Sequence, residues 1–420
     1  MRRTVKISAD LVRLATVRFA GQFGDGMFQA ALSGAILFNP ERETDPLAVA
    51  AGFAVLLLPY SLLGPFAGAL LDRWNRRAVL VVANVVRAVL VGLSAAGLAA
   101  GFGSGVLLAG ALAVVGVGRF VAAGVSAAVP HVVSEKWLVT TNSVLATASA
   151  GFATIGASTA VAVISLLGAG DRSAAIAALL SASGSVLAAV AAASFARHTL
   201  GPGVGEVRAP HGRDAVRAVA AGLRTGALAA WRAPEVTTTL IGIGAHRIVF
   251  GADTLLMVLV LRETASGVSG GLVGFGVAIA STAAGMLTAA VVAPVLIPRL
   301  GRSRTVVCGL VVAAVVQLLV VAQLTHTALL IGAFLLGLAG QTIKLTGDAA
   351  MQLDLDDDRR GQVFALQDTV FNVAFVLAVV TAAALVAPDG QSPAVAYAAG
   401  GVYVLALIAV AANTRRRSRC

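Results

Sequence analysis

The chain has 420 residues, 58% hydrophobic and 12% charged, with a mean hydropathy of +0.90. A soluble domain carries roughly 25% charged residues, so a single aqueous core cannot hide this much apolar surface, and a bilayer must take its place. The net charge of +11 lies in short clusters between apolar runs, which argues against a soluble nucleic-acid-binding domain. Two cysteines, Cys308 and Cys420, give no basis for a disulfide framework or a metal cluster.

A bilayer core of about 30 Å needs about 20 helical residues, and twelve candidate spans follow in chain order. The first six cover 11–38, 47–71, 78–100, 105–129, 138–167 and 174–195. The second six cover 236–261, 272–296, 305–324, 328–352, 363–387 and 394–412. The N-terminus lacks a signal-peptide cleavage pattern, so its first apolar run is expected to persist as a helix. The expected organisation is a six-helix bundle over 1–195, a linker over 196–235, and a second six-helix bundle with a basic tail over 236–420. Within the linker, Arg213, Arg217 and Arg224 fall on one helical face. The linker therefore reads as an amphipathic helix on the membrane surface, or equally as a solvated helix.

Orientation follows from the excess of cations in cytoplasmic loops. With the N-terminus inside, the inner segments hold 22 of the 31 lysines and arginines and the outer loops hold three, Arg42, Arg172 and Arg262. Both basic termini are then cytoplasmic, as an even number of spans requires. The expected location is the inner (plasma) membrane of a cell, crossed many times.

After the second span comes GALLDRWNRR at 68–77. It resembles the GxLxDRxxRR signature of the major facilitator superfamily at Gly68, Leu70, Asp72, Arg73, Arg76 and Arg77. Gly68 permits close helix contact, Asp72 suits a helix N-terminus, and the arginines can pair with acids or lipid phosphates. In that family the loop locks the inner gate. The resemblance implies an all-α membrane protein of twelve transmembrane helices in two pseudo-symmetric bundles. Two connecting segments, SAAVPHVVSEKWLVTTNSVL and RRGQVFALQDTVFN, resemble those of the bacterial branch that includes macrolide and siderophore exporters. There are departures. The equivalent second-half loop near PVLIPRLGRS has Pro298 in the place of Asp72, and the fifth span, SAGFATIGAS, lacks the Gly-Pro pair of proton antiporters.

Charged groups inside spans cost about 2.5–3.5 kcal/mol on insertion scales and mark function by default. In the first span Arg18, Gln22, Asp25 and Gln29 form one stripe, expected to face an aqueous cavity. His246, Phe250, Asp253 and Met257 repeat its offsets in the seventh, beside Arg247, so Asp25 and Asp253 read as pseudo-symmetric partners of parallel halves. Arg119 lies mid-span in the fourth and resembles a family arginine. Gln341, Lys344, Asp348 and Gln352 stripe the tenth, and Asp368 and Asn372 lie in the eleventh. Lys344 and Asp348 can equally neutralise each other. Arg87, mid-span in the third beside Asn84, reads as structural. Asp25 is the expected proton carrier, with Arg18 and Arg119 as cations within reach; the alternative is a permanent ion pair with Arg18 or Arg119.

The resemblance implies a secondary transporter exporting a hydrophobic or amphipathic small molecule, with protons as the coupling ion, no cofactor and no nucleic-acid partner, acting as a monomer. No GxxxxGK[ST] motif is present to power it with nucleotide. The alternatives are an importer, a uniporter, a lysolipid mover, or a receptor on a transporter scaffold. No nucleophile, base and orienting acid occur together, so an enzyme is not expected.

Overall fold

The computed structural model describes residues 8–37, 46–47, 49–55, 75–168, 170–196, 199–201, 212–263, 271–387 and 390–417. The long helices are α1 (Ala9–Leu37), α2 (Arg76–Ala99), α3 (Ser104–Val132), α4 (Glu135–Leu167), α5 (Asp171–Ala193) and α6 (Gly212–Arg232). They continue as α7 (Pro234–Glu263), α8 (Gly271–Leu300), α9 (Arg302–Leu319), α10 (His326–Asp354), α11 (Asp357–Leu385) and α12 (Pro393–Arg417). Among the described residues, ten helices are long and apolar enough to cross a membrane: α2 to α5 and α7 to α12. Helix α1 spans 29 residues, or about 43 Å at 1.5 Å per residue, but its polar stripe lowers its hydropathy. The expected second span falls largely outside the described residues.

The bilayer reading has a direct signature in the packing. Large apolar side chains point outward on most spans, among them Leu93, Val190, Leu287, Val291 and Leu405, all more than 60% exposed. In water such surfaces would drive aggregation; lipid makes them neutral.

The chain forms two compact units, Met1–Glu43 with Val55–Arg217, and Thr44–Ala54 with Ala218–Cys420. In the first, α1 packs between α4 and α5, and α2 between α3 and α5. Backbones approach closely where side chains vanish. A Cβ at Gly26 would strike the Ala153 carbonyl, and one at Gly156 the Phe23 carbonyl, so α1 and α4 meet backbone to backbone. Within a membrane such small-residue contacts supply association that hydrophobicity cannot. Around them Leu14, Val17, Leu80, Val121, Val125 and Leu145 build an apolar core.

In the second unit, α7 is held by α10, α11 and α12, and α8 packs along α10. Helix α6 lays Ala229 and Ala230 on Val236, Met351 and Val363, and Thr225 Oγ1 donates to Gln362 Oε1 at 2.6 Å. Its other side, including Arg224 and Trp231, is exposed. The linker helix thus docks one face on this unit. Two expectations change here. Helix α8 continues through Pro294 and Pro298 to Leu300, so Pro298 is helical and not in a loop. Proline is tolerated in transmembrane helices because neighbours and local adjustments satisfy the freed carbonyls. The ninth span, expected to run to 324, ends as an α-helix at Leu319 and closes in a 3-10 turn, with Leu324 left-handed at φ 51°.

Candidate functional site

In the first unit Asp25 on α1 meets Arg87 on α2. Its Oδ1 accepts a hydrogen bond from Arg87 Nη2 in a buried ion pair. Gln22 Nε2 donates to Oδ2 at 3.1 Å. Arg87 is 1% exposed, and its Nη1 also reaches the Gly21 carbonyl at 3.4 Å. Helix α3 makes room with Gly118, where a Cβ would sit 3.1 Å from Asp25 Oδ1.

This arrangement corrects the sequence reading twice. Asp25 is 8% exposed and does not line an aqueous wall. Its counter-ion is Arg87, in place of Arg18 or Arg119, and a buried ion pair is in keeping with a structural role for Arg87. Arg18 Nε instead donates to Ser149 Oγ on α4 at 2.8 Å, with Nη1 3.4 Å from Ser126 Oγ on α3. Arg119, half-buried on α3, lies near enough to act on the Asp25 charge without forming that pair. Gln29 stays partly exposed one turn further along α1.

The second unit repeats the plan with one change. Asp253 on α7 is 6% exposed and accepts from Gln317 Nε2 on α9 at 2.7 Å. Gln317 stands 64 residues after Asp253; Arg87 stands 62 after Asp25. An amide therefore occupies the position that a guanidinium fills in the first unit. Asp253 Oδ2 and Gln317 Oε1 are buried with no hydrogen-bond partner. Asp253 also borders a cavity of about 30 Å³, shared with Phe250, Met257, Thr254 and Thr282. That is room for about one water molecule. Sequence reasoning missed Gln317, although its spacing from Asp253 is within two residues of that of Arg87 from Asp25.

His246 does not join Asp253. Its Nδ1 lies 2.8 Å from the Tyr403 hydroxyl on α12, and its ring fills the space left by Gly340 on α10. Lys344 Nζ meets Asp348 Oδ2 at 2.7 Å, the mutual neutralisation weighed from the sequence. Asp368 on α11 is exposed and feels the charges of Lys344, Arg247 and Asp348. Asn372 is half-buried one turn on.

Of the expected gating residues, Gly68, Leu70, Asp72 and Arg73 lie outside the described residues. Arg76 and Arg77 open α2. Arg76 Nη1 donates to the Leu200 carbonyl at 3.2 Å and stands 3.3 Å from both nitrogens of His131. Arg77 Nη2 donates to the Ala193 carbonyl at 2.7 Å, at the end of α5. The expectation was acids or lipid phosphates; the partners seen include carbonyls at and beyond a helix C-terminus, which attract cations. In the second half, Arg302 Nη1 pairs with Asp354 Oδ1 at 3.0 Å.

Residues 241–419 match the family model of the Major Facilitator Superfamily. Two mycobacterial proteins described as MFS-type transporters, from Mycobacterium bovis and Mycobacterium tuberculosis, are each 44% identical over 406 residues, covering 97% of this chain and 91% of theirs. Among solved structures, the nucleoside transporter NupG aligns with a TM-score of 0.69 at 13% identity, covering 97% of this chain and 99% of NupG. The peptide transporter POT in complex with sulfate aligns with a TM-score of 0.68 at 14% identity, covering 98% and 95%. These structures share the fold. With the membrane helices, the two mycobacterial relatives establish that the chain belongs to the major facilitator superfamily and is a multi-pass membrane transporter of that type.

Proposed function

We propose that this transporter is a proton-coupled exporter of a hydrophobic or amphipathic small molecule, working by alternating access between two six-helix bundles with both termini in the cytoplasm. Export rests on the resemblance of the two connecting segments to the macrolide and siderophore exporters. Proton coupling rests on one observation: equivalent buried carboxylates have unlike partners. Asp25 is held by a guanidinium. Asp253 faces Gln317, the hydroxyl of Tyr403 lies in its field, and among the described residues no lysine or arginine pairs with it. A buried carboxylate without a counter-ion is costly, and a proton is the small cation that can relieve it and leave again. The coupling residue is therefore Asp253, in place of Asp25.

Each proton moved down 100 mV supplies about 2.3 kcal/mol, enough for roughly fifty-fold accumulation. The test uses purified protein in liposomes loaded with the pH dye pyranine, an imposed pH gradient and a panel of small amphipathic compounds. Wild type moves protons when a transported compound is added, and Asp253→Asn moves the compound only down its own gradient. Proton-driven accumulation by Asp253→Asn would remove Asp253 from the mechanism. A wild type indifferent to the pH gradient would remove proton coupling altogether.

A further inference from the structure

The second unit carries a cluster of charge that the proton reading does not use. Arg247, Lys344, Asp348 and Asp368 come from three helices, α7, α10 and α11. Arg247 and Asp368 lie within a turn of their helix midpoints, and Lys344 about one turn past that of α10. The helices converge because glycine lets them. A Cβ at Gly347 on α10 would lie 2.8 Å from Ile243 on α7, and one at Gly251 on α7 would lie 2.7 Å from the Phe375 carbonyl on α11. Arg247 and Asp368 act on each other's charge, and Lys344 and Asp348 act on Asp368.

The cluster is balanced, two cations against two anions, but it is not closed. Lys344 and Asp348 satisfy each other at 2.7 Å, while Asp348 Oδ1 is buried with no hydrogen bond. Among the described residues, neither Arg247 nor Asp368 makes a side-chain hydrogen bond or ion pair. Arg247 is half-buried and Asp368 exposed. A guanidinium is suited to a carboxylate or phosphate, and a carboxylate to an ammonium. Opposite charges left open side by side in a membrane protein select a ligand that carries both signs.

We propose that these residues form a substrate site for a zwitterionic amphiphile, with Arg247 taking its anionic group, Asp368 its cationic group, and the Lys344–Asp348 pair fixing both. The proposal rests on the transporter reading and narrows its substrate class.

The test measures binding, not transport. Full-length protein in lipid nanodiscs is titrated with three probes of one chain length: 2-aminooctanoic acid, octanoic acid and octylamine, corrected for partition into empty discs. The expected result is roughly tenfold or greater preference for the zwitterion, one charge-assisted hydrogen bond's worth. Arg247→Gln abolishes the preference over octylamine and keeps that over octanoic acid; Asp368→Asn does the reverse. This crossed pattern is one that a merely structural role would not give. Should Arg247→Gln fail to fold, Asp368→Asn and Asp368→Glu carry the same test. Equal affinity for all three probes, no binding of any, or a uniform loss in both variants overturns the proposal. A protein that binds the zwitterion but moves no protons keeps this site and refutes the coupling.

Discussion

The Arg87–Asp25 pair allows a quantitative test of what holds the first unit together. Arg87→Leu removes the guanidinium and leaves Asp25, whose side chain is 11% exposed, without its counter-ion. Two unit charges about 4 Å apart attract by about 4 kcal/mol at an effective dielectric of 20, and removing one partner of a buried pair costs about 3–5 kcal/mol. Gln22 still donates one hydrogen bond and Arg119 still acts on the charge, so the loss falls toward about 3 kcal/mol. Adding Asp25→Asn to Arg87→Leu removes the stranded charge, and the double variant returns to within about 1 kcal/mol of wild type, because a neutral pair of similar volume has little desolvation to make good. The assay is reversible unfolding in mixed micelles followed by circular dichroism, run as a double-mutant cycle. A double variant as unstable as the sum of the single ones would show that the two side chains do not act as a pair.

Other expectations follow from the same contacts. Gly156→Leu drives a side chain into the Phe23 carbonyl and lowers stability by about 1–3 kcal/mol or more, whereas Gly151→Leu, with open space around it, leaves the melting temperature unchanged; equal effects would refute the backbone contact. Gln317→Leu strips Asp253 of its donor at a cost of about 1–3 kcal/mol, while Gln317→Arg copies the first unit's pair and abolishes accumulation driven by a pH gradient in liposomes. With Cys308 and Cys420 replaced by serine, a cysteine near Pro388 reacts with an impermeant thiol reagent in intact cells and one near Gly203 does not; the reverse labelling inverts the topology.

The span pattern was legible because membrane helices announce themselves by length and hydropathy, and ten of the twelve expected spans appear as helices that meet both. Asp25 and Asp253 were legible as partners because their stripes repeat the same offsets. Their neighbours were not. Arg87 sits on a helix whose own pattern does not say which other helix it faces, and the room for its pair with Asp25 comes from Gly118 on a third helix, which no stripe records. Gln317 was hidden for a different reason: one amide in a run of valines and leucines leaves the run's hydropathy almost unchanged. Pro298 misled because it was placed by analogy with Asp72 of the first-half signature, whereas the membrane helix runs on through it.

The buried ion pair also constrains how the protein is made. Asp25 and Arg87 lie 62 residues apart, so at about 5–20 residues per second the ribosome adds Asp25 about 3–12 s before it reaches Arg87. Throughout that interval α1 carries an uncompensated carboxylate near its middle, which the lipid disfavours by about 2.5–3.5 kcal/mol. An α1 that enters the lipid together with α2 avoids that cost, because the two then enter as a neutral pair.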